Sequence, residues 1–143
     1  MKEKLVLVGN GMAGVRALEE LFKHNPSDAK AGNHRGSDQY DITVIGAEPH
    51  PNYNRIMLSP VLAGEQTIDE IILNSVEWYE ENNIELVTGD MVTEISRVKK
   101  TVITKSGKEF PYDRLLLATG SNPFIIPIPG ADKEGVLGFR DIA

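Results

Sequence analysis

With 143 residues, 41% of them hydrophobic, the chain amounts to one domain with enough apolar side chains for a proper core. A net charge of −6 argues against a polyanion-binding surface, so no nucleic-acid partner is expected. The sequence has no cysteine, which excludes disulfides, dithiol redox chemistry and thiolate ligation of zinc or iron–sulfur clusters within these residues; it also has no apolar run of membrane-spanning length and no signal-peptide core, and so predicts a cytoplasmic domain without a membrane partner.

The chain opens on Leu5, Val6, Leu7 and Val8, an apolar run suited to a strand buried on both faces. Gly9, Gly11 and Gly14 follow as Gly-x-Gly-x-x-Gly, and Ala17, Leu18, Leu21 and Phe22 then recur at helical spacing. In such a unit the first glycine turns sharply out of the strand, and the second admits a pyrophosphate to the backbone. The third lets the helix pack closely on the strand. The first amides of that helix lack intrahelical acceptors and its dipole favours an anion, so a dinucleotide is the expected ligand.

His24, Asn25 and Pro26 break the helix, and the polar segment 27–39, with His34 and Arg35, reads as a solvated loop. Asp41 to Ile45 is the second strand, and Glu48 follows at its tip. An acidic residue there accepts hydrogen bonds from ribose hydroxyls, usually about 20 positions after the glycines. The polar loop accounts for the longer spacing here, although an ordinary surface carboxylate would sit in the same place. Pro49, Pro51 and Pro60 prevent one long helix, leaving short turns on the ligand side of the sheet. Arg55 is a candidate for phosphate or flavin contact, or else an ordinary surface arginine. His50 has no evident metal partner.

Asp69 to Leu73 and Val76 to Asn82 read as short helices, with Trp78 and Tyr79 as packing residues. Ile84 to Val87 is the third strand, and Thr88, Gly89 and Asp90 form a turn. From Met91 to Tyr112, apolar Val92, Ile95, Val98, Val102 and Ile103, a turn at Ser106 and Gly107, then Phe110 and Tyr112 read as short antiparallel strands. An NAD domain would continue with another βαβ crossover at this point, so the meander favours FAD over NAD. Arg114 to Gly120 is a buried strand ending in small residues, and Pro123, Pro127 and Pro129 make the following segment an extended linker. The fold class is α/β: a Rossmann-like domain with a parallel sheet and an inserted antiparallel β-meander.

Gly9 to Gly14, Glu48, the meander and the run Tyr112 to Gly120 together resemble the FAD domain of the pyridine nucleotide–disulfide oxidoreductase superfamily. Gly9-Asn10-Gly11-Met12, Asp41 to Val44, Tyr53-Asn54-Arg55 with Leu58-Ser59, and Ala118 to Ser121 are similar to its NAD(P)H-dependent nitrite reductase branch. The resemblance implies that backbone around Gly11, Met12 and Ala13 holds the FAD pyrophosphate and that Glu48 holds the adenosine ribose. It also implies that Arg55 lies along the cofactor, that Val92 offers main-chain contacts to the adenine, and that Ala118, Thr119 and Gly120 close over the cofactor. Two departures stand out. The cysteine pair of the disulfide reductases is missing, and Pro60 stands where many ferredoxin-reductase relatives carry a lysine near the flavin.

The resemblance further implies that residues 1–143 are the N-terminal portion of an FAD-binding domain. The NAD(P)H-binding domain, and in the intact protein iron–sulfur and sirohaem centres, would lie elsewhere. The activity it implies is transfer of electrons from NAD(P)H through FAD to downstream centres. The alternatives are an NADH:rubredoxin or ferredoxin reductase, and a nucleotide-binding module without turnover. No residue recommends itself as acid, base or nucleophile, so no catalytic side chain is assigned, and the isolated chain is expected to be inactive. Apolar sheet edges near Leu115 to Leu117 are expected to favour self-association.

Overall fold

A computed structural model of the protein describes residues 1–23 and 39–142. Segment 27–38 of the expected loop, with His34 and Arg35, lies outside the described residues, as does His24. Strand β1 (Glu3–Val8) leads into helix α1 (Met12–Lys23), and β2 (Tyr40–Ile45) follows. The proline-rich stretch then forms a 3-10 turn at Arg55–Met57 and a short helix α2 (Leu58–Leu62). A second 3-10 turn at Asp69–Ile71 and helix α3 (Val76–Glu81) precede β3 (Ile84–Val87). Strands β4 (Val92–Ser96), β5 (Thr101–Thr104) and β6 (Glu109–Pro111) form the meander, and β7 (Arg114–Leu117) is the last strand.

Four strands pair in parallel in the order β3-β2-β1-β7, and the meander makes a separate antiparallel sheet in the order β4-β5-β6. The continuous apolar run of β1 follows from what covers each face. Leu5 and Leu7 point to one side, where they pack with Leu18 of α1, Tyr79 of α3, and Ile42 and Val44 of β2. Val6 and Val8 point to the other, where Val102 of the meander packs on them with Ile45. Successive strand residues face opposite ways, so a strand covered on both sides has no polar alternation. Leu7, Val44 and Val102 are wholly buried, and burying such side chains contributes about 1.5–3 kcal/mol each. The meander thus covers the face that a second crossover helix would otherwise cover.

The register aligns the C-terminal ends of the parallel strands. Val8 pairs with Ile45 and with Leu117, and Ile45 with Val87. The segments that leave these strands therefore emerge side by side along one edge, where open α/β sheets bind their ligands.

One expectation needs correction. The last strand is not buried: Leu115 and Leu116 are half-buried and Leu117 is 56% exposed. Among the described residues β7 pairs only with β1 and forms the edge of the sheet, so none of their strands shields its outer side. The extended linker after it is present, without helix, and leaves Phe124, Ile126 and Ile128 exposed. Among the described residues no helix is long and apolar enough to cross a membrane.

Candidate functional site

A cavity of about 540 Å³ opens along the C-terminal edge of the parallel sheet. The turn after β1 supplies Gly9, Gly11, Met12 and Ala13 to its wall, and the segment after β2 supplies Glu48 and Arg55. Val92 enters from the start of the meander, and Ala118, Thr119 and Gly120 from the exit of β7. Gly14 is not on the wall. It is buried within the first turn of α1, where an added Cβ would stand 3.0 Å from both the Ala118 Cβ and the Leu7 Cδ1.

The glycine turn separates structural from ligand-facing demands. Gly9 has φ +106°, and a Cβ there would lie 2.2 Å from the Ala118 carbonyl oxygen. Its backbone is fixed by the neighbouring strands: its amide donates to the Ile45 carbonyl at 2.8 Å, and the Ala118 amide donates to the Val8 carbonyl at 2.8 Å. Gly11 differs, because a Cβ placed on it would meet nothing within 4 Å. No internal packing requires glycine there, and the bare backbone faces the cavity. Helix α1 starts at the next residue, with no acidic side chain in its first turn and Lys23 in its last. Its dipole and leading amides are therefore available to an anion from outside the chain.

Asn10, between the first two glycines, was not singled out from sequence. Its Nδ2 donates to the His50 carbonyl at 3.3 Å, and its Oδ1 accepts from the Tyr79 hydroxyl at 2.6 Å. Tyr79 also accepts from the Asn52 amide at 3.3 Å. Burial pushes the Tyr79 phenol up to about 12, so it remains a neutral donor at physiological pH. From Asn52 the polar chain continues to Asn74 at 2.8 Å and on to Glu19 of α1 at 3.0 Å. The Trp78–Tyr79 pair is a packing pair, as expected, and Tyr79 additionally braces the glycine turn.

Glu48 and Arg55 lie against each other. The Arg55 Nη2 donates to the Glu48 Oε1, and the Tyr53 hydroxyl donates to the Glu48 Oε2 at 2.5 Å. The Arg55 Nη1 donates to the Tyr53 hydroxyl at 2.7 Å, to the Asp141 Oδ1 at 2.5 Å and to the Arg140 carbonyl at 3.0 Å. Burial pulls the Arg55 guanidinium down, but the hydrogen bond and charge of Glu48 outweigh it and hold Arg55 above its usual value. Burial, with Glu48 beside it, raises the Tyr53 phenol well above the tyrosine range. Both Nη groups of Arg55 thus serve internal partners, holding Glu48 on one side and Tyr53, Arg140 and Asp141 on the other. Arg140 and Asp141 also reach the cavity wall. They gave no signal in the sequence, because they meet Arg55 across 85 and 86 positions.

The segment read as a turn at Thr88 to Asp90 does more than turn. Gly89 has φ +68°, and the Asp90 carboxylate accepts from the Ser106 hydroxyl and amide at 2.5 and 3.1 Å. The Ser106 hydroxyl holds the Asp90 carboxyl below the usual carboxylate range. This bond ties the β5–β6 turn to the base of the meander beside Met91 and Val92. Among the described residues no group of three or more His, Cys, Asp or Glu is placed to hold a metal ion. A cleft of about 610 Å³ on the far side of His50 and Pro51 is bordered by Ile68, Ile72 and Val76 and lies away from the glycine turn.

Comparison with known proteins is consistent with this geometry. Residues 3–143 match the family described as pyridine nucleotide-disulphide oxidoreductase. Over 141 residues, 99% of the chain, it is 58% identical to a nitrite reductase [NAD(P)H] of Bacillus subtilis (strain 168), covering 16% of that protein. It is 50% identical to an assimilatory nitrate reductase electron transfer subunit of the same organism, over 99% of the chain and 17% of that protein. A crystal structure of NADH:rubredoxin oxidoreductase from Clostridium acetobutylicum superposes with a TM-score of 0.72 at 31% identity, over 93% of the chain and 32% of that structure. The chain thus spans less than a third of the length of each of these relatives.

Proposed function

The chain belongs to the pyridine nucleotide-disulphide oxidoreductase family, and on that premise we propose that residues 1–143 are the N-terminal portion of an FAD-binding domain. The proposed parent is an NAD(P)H-dependent flavoprotein reductase of the nitrite reductase kind. The observation that carries this reading is the pairing of two features on one cavity: a bare backbone at Gly11 beneath the α1 N-terminus, and the braced carboxylate of Glu48. These residues fit a dinucleotide. Backbone around Gly11, Met12 and Ala13 would hold the pyrophosphate, Glu48 the adenosine ribose, and Val92 the adenine edge. Ala118, Thr119 and Gly120 would close over the cofactor, with Arg55 securing Glu48.

When bound, FAD would supply the redox chemistry between NAD(P)H and the downstream acceptors, which in the whole protein would be iron–sulfur and sirohaem centres. The residues of this chain bind and orient; none is assigned a proton-transfer role. The exposed β7 edge supports pairing with another chain or a second copy. The similarity to the rubredoxin oxidoreductase structure supports a second reading, in which the electron acceptor is a small iron–sulfur protein.

The test is equilibrium dialysis of the intact parent protein against FAD and NAD, together with NADH-dependent dye reduction by the 143-residue chain in excess FAD. Preferential uptake of FAD by the parent, with dye reduction by the chain no faster than by free FAD, is expected. NAD bound in place of FAD would overturn the cofactor assignment. Turnover above free FAD would reveal a nicotinamide site within these residues.

A further inference from the structure

Glu48 is held at both oxygens, and the two grips come from different chemical groups. Arg55 takes Oε1 through its guanidinium, and the Tyr53 hydroxyl takes Oε2 at 2.5 Å. An ionised carboxylate offers about four acceptor positions. Among the described residues two are used by the brace, which leaves one on each oxygen, and the Glu48 side chain keeps 23% of its surface exposed on the cavity wall. A carboxylate fixed in this way presents two acceptors at a set spacing, the arrangement that a vicinal diol can meet with both of its hydroxyls.

Tyr53 itself is well placed to hold that geometry. The residue is 5% exposed and packs with Leu58 and Ile71, in a cluster separate from the two that cover the parallel sheet. The Arg55 guanidinium carbon stands 5.0 Å from the centre of the Tyr53 ring, and Arg55 Nη1 donates to the Tyr53 hydroxyl at 2.7 Å. The hydroxyl therefore accepts from the cation and donates to the anion, and its hydrogen has one direction to take. Without it, Oε2 would lose its only hydrogen-bond donor in this brace, and the Glu48 side chain could pivot about its contact with Arg55.

We propose that Tyr53 is a positioning residue that makes the site selective for nucleotides carrying both free ribose hydroxyls, by locking Glu48 into a two-acceptor orientation. This rests on the reading that Glu48 holds the adenosine ribose, and the experiment separates the two. Calorimetric titration of the 143-residue chain with ADP and with 2′-deoxy-ADP gives a discrimination ratio for each variant. That ratio is internal to the variant, so it does not depend on the fraction folded. The unaltered chain should favour ADP by about tenfold or more, the size expected for a hydrogen bond to a charged group. Glu48→Ala should bring the ratio to about one, because nothing remains to sense the missing hydroxyl.

Tyr53→Phe keeps the ring and its packing but removes the hydroxyl, and the ratio should fall to about threefold or below. A merely structural role would weaken both nucleotides alike and leave the ratio unchanged. An unchanged ratio in Tyr53→Phe, with collapse in Glu48→Ala, overturns the positioning role and leaves the ribose reading standing. An unchanged ratio in Glu48→Ala, or an unaltered chain that binds both nucleotides equally or neither, overturns the ribose reading and with it the role of Tyr53.

Discussion

Tyr79, on α3, donates its phenolic hydrogen to the side-chain oxygen of Asn10 at 2.6 Å, joining a residue of the glycine turn to one 69 positions away. Tyr79 is 1% exposed and its bond from the Asn52 amide is buried, whereas Asn10 is half-buried at the cavity wall. Tyr79→Phe would leave the Asn10 oxygen and the Asn52 amide without their partner. The Asn52 amide is buried, and such a group costs about 1–3 kcal/mol when unsatisfied, so a clear fall in Tm by calorimetry is expected. A Tm equal to that of the unaltered chain would show that water replaces the phenol without loss.

The same residue has a signature at high pH. Its phenol is raised from 10.0 to about 12, with burial as the first cause. A group whose folded value lies above its unfolded value contributes stability that is fully present below the unfolded value and lost as pH rises through the folded one. Stability should therefore decline between pH 10 and about pH 12, and Tyr79→Phe should lack this contribution. Denaturant titrations across that range test it, and parallel pH profiles for the two proteins would refute it.

Gly9 and Gly11 should respond in opposite ways to the same substitution. A methyl group on Gly9 would lie 2.2 Å from the Ala118 carbonyl oxygen, at a φ of +106° that L residues rarely adopt. Strain of this kind costs at least about 1–3 kcal/mol, and Gly9→Ala should lower Tm or prevent folding. At Gly11 a methyl group meets nothing within 4 Å, so Gly11→Ala should change stability by less than about 1 kcal/mol. It should nonetheless weaken binding of ADP or FAD about tenfold or more, by filling the space the pyrophosphate needs. Thermal melts and titration calorimetry on both variants give the comparison. A Gly11→Ala chain with unaltered nucleotide affinity would remove the cradle from the site.

Glu48→Gln keeps the shape of the side chain and removes its charge. Hydrogen bonds to charged groups contribute about 1.5–3 kcal/mol, so the affinity of the parent protein for FAD should fall about tenfold or more. The substitution also weakens the ion pair to Arg55, whose side chain is 25% exposed, and a modest loss of stability should accompany it. Equilibrium dialysis measures the first effect and calorimetry the second. Unchanged FAD affinity would make Glu48 a surface carboxylate braced for structure alone.

Much of the site could be read along the chain, because its signals are local. A strand, a turn and a helix in direct succession place Gly9, Gly11, Met12 and Ala13, and the end of the next strand places Glu48. The meander was legible from short apolar alternation, and so was the extended segment beyond Gly120, where prolines forbid helix. These readings depend on backbone preferences and periodicity, which act over a few residues and survive without knowledge of the partner. Other features depended on partners far away in sequence. That β7 is an edge and not a buried strand follows from which strands pair beside it, and nothing within Arg114 to Leu117 encodes its neighbours. Arg55, which holds Glu48, is itself tied to Asp141 across 86 positions, and the Asn10 bond joins the first turn to α3 across 69. Side-chain hydrogen bonds need distances near 3 Å and fixed angles, and for residues this far apart only the folded chain supplies them.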